Sequence, residues 1–127
     1  RWKKLVWNAP FNPLSVITQV DTANMMKTKP SVAMIRGVMK EVQAVARACG
    51  VEIADAFLEK NIEETKTMPP YKTSMLLDYE AQRPMEVETI LGRAIDLGVE
   101  KGVETPMMCI LYALLHIKEE TRSIAAA

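Results

Sequence analysis

The chain has 127 residues, 49% of them apolar and 25% charged, with sixteen basic residues balanced by sixteen acidic ones. Such a chain makes one ordinary domain, able to bury roughly two-thirds of its unfolded surface. The charge balance argues against a nucleic-acid or anionic-membrane surface, and no apolar run nears the ~18 residues of a membrane span. A signal-peptide pattern is also missing, so the expected setting is cytoplasmic.

In chain order, the opening segment "RWKKLVWNAPFNPLSVITQV" predicts a helix over about 2 to 20, interrupted or kinked near Pro10 and Pro13 because each removes a backbone donor. It starts at Arg1 inside a helical pattern, which suggests a piece of a longer polypeptide. "DTANMMKTKP" reads as a polar connector. The next helix opens at Pro30 and Ser31 and closes at Gly50, with Val32, Ile35, Val38, Met39, Val42, Val45 and Ala46 at helical spacing.

Residues 51 to 67 predict a third helix with Ile53, Phe57, Leu58 and Ile62 on one face, ended by "MPPY". A short helix follows over about 74 to 81, and another runs from Pro84 to Gly98 or Gly102. The last begins with Thr105 as N-cap and Pro106 in the first position, and buries Met108, Leu111, Tyr112 and Leu115. No segment alternates with period two. The expectation is an all-α domain of about six helices spanning residues 1–127.

Cys49 and Cys109 lie sixty positions apart and read as buried, inert thiols. The lone His116 has no metal-ligand spacing around it, so no metal is expected. The five glycines form neither a G-x-G-x-x-G turn nor a phosphate-binding loop.

Chemistry concentrates in two places. Positions four apart on a helix drift by only ~40°, so Lys4, Asn8 and Asn12 share one face. That face offers an ammonium and two amides, suited to a ligand with hydroxyl, carbonyl and carboxylate groups; its plainer reading is a solvated stripe. The second place is "YKTSMLLDYEAQRPMEVE", where Thr73 and Ser74 stand at a helix start as caps or as an anion site. Glu86 falls in the first turn after Pro84, where the helix macrodipole alone justifies an acid.

Taken together, "WKKLVWNAPFNPLS", the segment "TSMLLDYEAQRPMEVETILGRAIDLGVEKGVETP" and the helix after it resemble the C-terminal domain of ketopantoate reductase (2-dehydropantoate 2-reductase) along essentially the whole chain. The resemblance implies reduction of a 2-keto acid, ketopantoate, with NADPH, for pantothenate and coenzyme A. It also implies Lys4 as general acid, and Glu86 holding the lysine and a substrate hydroxyl. Ser74 would meet the carboxylate, while Asn8 and Asn12 read the hydroxyl end. An N-terminal Rossmann domain, absent from these residues, would bind NADPH, and a homodimer is a further expected partnership.

The pattern departs from the family at four positions. Thr22 and Tyr71 stand where asparagines are found in the family or some of its members, Thr73 replaces a serine, and Pro10 is an added proline. These differences bear on which 2-keto acid is taken. Two other readings use the same residues: another 2-keto-acid reductase built on this domain, and a non-catalytic helical module for protein association.

Overall fold

Eight consecutive residues of the first helix, Ala9 to Val16, are buried. A helix covered all round has to lie at the centre of its domain, and the remaining elements pack about it. The computed structural model describes the backbone of residues 1–126 and the side chains of residues 1–122. The elements are α1 (Trp2–Thr18), α2 (Thr22–Met25), α3 (Lys29–Ala48), α4 (Asp55–Thr67) and α5 (Ser74–Glu80). A π-helical turn at Glu88–Gly92 runs into α6 (Arg93–Lys101), and α7 (Pro106–Ala126) follows. Among the described residues there is no strand. The all-α expectation holds, with α2 as the additional helix.

α1 is not interrupted at its prolines. Pro10 and Pro13 remove the bonds that would reach the carbonyls of Val6 and Ala9, at ~3 kcal/mol or more for an isolated helix interior. Burial outweighs that cost. Val6, Phe11 and Val16 are fully buried, and α3, α5 and α7 all pack on α1.

α3 presents Ile35, Val38, Met39, Val42, Val45 and Ala46 to this core, as the spacing predicts; Val32 is only partly buried. Its cap is Thr28, whose hydroxyl accepts from the Ser31 amide at 3.2 Å, so the helix opens just before Pro30. Past its end Gly50 takes a positive φ of 87°, a conformation glycine adopts without steric cost.

α4 begins four residues later than the pattern predicts. The Gln43 amide donates to the Ile53 carbonyl and to Asp55 Oδ1, both at 2.8 Å, and so holds residues 51 to 54 outside the helix. Ile53 is still buried. The helix expected from Pro84 also starts later, at Val87, so Glu86 precedes it rather than sitting in its first turn.

α7 is joined to the rest by charged groups from elsewhere in the chain. The Glu41 carboxylate of α3 accepts the amides of Met107 and Met108 at 2.8 and 2.9 Å. Those are the donors that the hydroxyl of Thr105 would have capped; its Oγ1 instead lies 3.7 Å from Cys109 Sγ. Met108, Leu111 and Leu115 are core, while Tyr112 is half-buried. Against the expectation of buried thiols, Cys109 is exposed, because the core-facing stripe of α7 is only one residue wide per turn, and Cys49 is partly exposed at the C-cap of α3.

Glu41→Ala leaves two first-turn donors of α7 without their acceptor and should cost about 1–2 kcal/mol. Urea unfolding followed by circular dichroism reads this directly. A midpoint equal to that of the parent would remove Glu41 as the cap.

Candidate functional site

α1, α5 and the α6 region enclose a cleft of about 330 Å³. From α1 it takes Arg1, Trp2, Lys4, Leu5, Asn8 and Asn12, a single helical face. From the opposite side come Glu86, Thr89, Ile90, Arg93, Ala94 and Leu97, again spaced by three and four. Ser74, the first residue of α5, completes the lining. All five residues singled out in the sequence therefore lie in one depression: Lys4, Asn8, Asn12, Ser74 and Glu86.

Burial varies with position. Asn12 is 3% exposed, Asn8 is half-buried, and Lys4, Ser74 and Glu86 are open to solvent. Neither asparagine side chain has a hydrogen-bond partner among the described residues, and since no fully buried side-chain nitrogen or oxygen there is unpaired, their amide atoms keep access to the cleft. What remains of Asn12's exposure opens into the cleft. The wall thus presents unspent donors and acceptors beside the apolar surfaces of Trp2, Leu5 and Leu97.

Ser74 is held in place by its neighbour. The Thr73 hydroxyl caps α5 by accepting from the Leu76 amide at 3.1 Å, and it lies 2.6 Å from the hydroxyl of Ser15 on α1. Ser15 also bonds the Asn12 carbonyl at 2.7 Å. One buried hydroxyl pair therefore links the start of α5 to the α1 turn that carries Asn12.

Two of the departures from the resemblance meet each other. The Thr22 amide donates to the Tyr71 carbonyl at 3.0 Å, and the Tyr71 amide donates to the Thr22 hydroxyl at 3.2 Å. Thr22 is fully buried and does not line the cleft; it braces the segment leading to Thr73 and Ser74.

The lining carries three cations, Arg1, Lys4 and Arg93, against one carboxylate, Glu86. Among the described residues Lys4 and Glu86 form no direct ion pair with each other or with another side chain, at a limit of 4.0 Å. Thr89 and Arg93 escape a reading based on polar spacing alone. Their signal is positional: they continue the face that begins at Glu86, three and seven residues on. No group of His, Cys, Asp and Glu able to hold a metal occurs among the described residues.

Behind the cleft, α7 supports the π-helical turn. The Tyr112 hydroxyl donates to both oxygens of Glu88 at 2.8 Å, and His116 Nε2 stands 3.4 Å from the same carboxylate. The rings of Tyr112 and His116 meet edge to face with centroids 4.5 Å apart.

Comparison with known proteins adds the wider setting. Residues 1–119 match the family model described as the C-terminal part of ketopantoate reductase PanE/ApbA. The 2-dehydropantoate 2-reductase of a Nostoc species is 41% identical over 112 residues, covering 88% of this chain and 35% of that protein. The chain thus spans about a third of the length of such relatives. A solved 2-dehydropantoate 2-reductase from Methylococcus capsulatus superposes with a TM-score of 0.92 at 45% identity, covering 97% of this chain and 39% of that one. A D-mandelate dehydrogenase solved with NADH and anilino(oxo)acetate gives 0.86 at 26% identity, with 96% and 52% covered.

The Tyr112 phenol is held above its ordinary range, chiefly by donating to Glu88, then by partial desolvation and the negative charges of Glu88 and Asp96. A folded value above the unfolded one means that the bond's contribution to stability is fully present below about pH 10 and is lost as pH rises through the folded value. Phenolate absorbance should therefore show one late-titrating tyrosine that disappears in Tyr112→Phe and returns to the ordinary range in Glu88→Gln. A late component that survives Tyr112→Phe would contradict this assignment.

Proposed function

Because this chain belongs to the ketopantoate reductase C-terminal family, we propose that it is the substrate-binding and catalytic domain of an NADPH-dependent 2-dehydropantoate 2-reductase, working in the cytoplasm. The observation that carries the reading is the convergence of Lys4, Asn8, Asn12, Ser74 and Glu86 on one cleft. They come from three separate segments, α1, the start of α5 and the stretch before the π-helical turn, and an association module would have no need to bring them together.

The nucleotide does not fit these residues by themselves. The five glycines supply no glycine-rich turn to approach a pyrophosphate, so the dinucleotide belongs to a Rossmann domain that this proposal places outside residues 1–127. This chain's own work is on the substrate. The Lys4 ammonium donates to the keto oxygen and gives up its proton as that oxygen gains charge, a role worth about 10²–10⁴ in rate. Glu86 accepts from a substrate hydroxyl and steadies the lysine through the bound molecule, since the two side chains form no direct ion pair. Ser74 donates to the carboxylate. Asn8 and Asn12 supply the unspent amide groups that read the hydroxyl end, with Asn12 at the floor. The runner-up reading keeps this chemistry and changes the 2-keto acid. The likeness to a D-mandelate dehydrogenase carrying an oxoacetate favours testing that alternative directly.

In the two-domain enzyme, Lys4→Ala should lower the turnover number by roughly two to four decades while NADPH binding stays near the parent value. Glu86→Ala should raise the Michaelis constant as well. The double variant should lose less than the two single effects combined, because the pair acts on one substrate. Rates for Lys4→Ala within a few-fold of the parent would refute the role. Faster reduction of an aryl 2-keto acid than of ketopantoate would select the runner-up.

The same proposal includes a homodimer formed through α7. Ile110 and Ile117 are 60% and 61% exposed, and they extend an apolar groove lined by Ile17, Met34, Met107 and Leu114. Met25 and Met39, which flank Met34 in the sequence, are core residues. Sedimentation velocity should show a dimer that Ile110→Glu dissociates; a monomer at high concentration would count against the pairing.

A further inference from the structure

The cleft contains a cation that the reaction as proposed leaves without a task. The chain has six arginines. Four are matched to carboxylates: Arg36 with Glu59, Arg47 with Glu52, Arg83 with Asp78 and Arg122 with Glu119. Arg1 and Arg93 have no carboxylate partner among the described residues, and these two line the cleft. Elsewhere on this surface a guanidinium is answered by an acid from its own chain. At the cleft it is not, even though the molecule as a whole is balanced at sixteen charges of each sign.

Arg1 is exposed and precedes the first residue of α1, whereas Arg93 stands on the first turn of α6 between buried Gly92 and Ala94. Its helix is seated by Ala94, 2% exposed, and by Gly98, where an added Cβ would stand 2.8 Å from the Val103 carbonyl and have no room. A guanidinium on a rigid helix offers a planar pair of donors matched to the two oxygens of a carboxylate, which an ammonium does not.

The geometry assigns to Arg93 the task of anchoring the substrate carboxylate and so of selecting 2-keto acids over uncharged ketones. This rests on the reductase reading above and deepens it. Ser74 donates to the same carboxylate as a neutral partner, while Arg93 supplies the charge. Lys4 is thereby left to the keto oxygen alone. With the substrate bound, the three cations of the lining face two anions, Glu86 and the carboxylate.

The test compares a 2-keto acid with its primary amide, which keeps the ketone and loses the charge, in the two-domain enzyme and in Arg93→Met. Methionine keeps helix propensity at an exposed position, so the variant should fold. For the acid, the Michaelis constant should rise about 10- to 100-fold with the turnover number within about three-fold. For the amide both should stay unchanged, which a general loss of structure would not produce. Arg93→Lys should restore part of the preference for the acid.

If Arg93→Met keeps the full preference while Lys4→Ala loses turnover, the anchor is overturned and the reductase reading stands. If Lys4→Ala turns over normally, the catalytic reading falls, and equilibrium dialysis with a labelled 2-keto acid decides about Arg93 separately. Binding lost in Arg93→Met supports the anchor; binding retained overturns it.

Discussion

Uninterrupted burial of residues 9 to 16 of α1 is the constraint on which the rest of the domain depends. A segment with two prolines and an asparagine would not hold a helix in water, where propensity decides. Here propensity is overruled by packing, because Phe11 and Val16 lie in the core and Trp7 stacks on Phe11 with ring centroids 4.6 Å apart. The same arrangement makes one turn of α1 serve two purposes. Phe11 and Leu14 face the hydrophobic interior, while Asn12 opens on the cleft, so the floor of the site is built into a buried turn of the central helix.

Features encoded within a few residues were legible in the sequence. The α3 start near Pro30 and its stop at Gly50, and the Pro106 start of α7, follow from backbone preferences that any context preserves. So does the shared face of Lys4, Asn8 and Asn12, since a spacing of four survives even the prolines between them. What escaped depended on distant partners. Gln43 delays α4, Glu41 takes over the cap expected of Thr105, and neither can be paired with its target from local pattern. α7 shows a different difficulty. "PMMCILYALL" is apolar nearly all round, so nothing in it distinguishes buried Met108 from exposed Cys109 and Ile110. Arg93 was hidden for the opposite reason: one arginine on a charged helix resembles any solvated residue until its lack of a partner becomes visible.

The ion pairs of this domain divide by purpose. Arg36 and Glu59 hold each other through two hydrogen bonds, which raise the guanidinium and lower the carboxyl in pKa, yet both remain well exposed. Pairs of that kind add little to stability, because water and salt screen them. Four of the six arginines are matched to a carboxylate in this way. At the cleft Arg1, Lys4 and Arg93 face the single carboxylate of Glu86, which gives it a local positive field on a neutral molecule and favours an anionic ligand there.

α7 is clamped at three levels by three different elements. Glu41 of α3 holds its first turn, Glu88 of the π-helical turn meets Tyr112 at mid-length, and Arg122 reaches back to the carbonyls of Tyr79 and Arg83 at the end of α5. A helix fastened in this way behaves as a strut. Its inner side steadies the turn next to Glu86 and Thr89, and its outer side is the apolar stripe of Ile110 and Ile117. The exposed stripe and the turn beside the cleft thus lie on opposite sides of one helix, a single side-chain layer from each other.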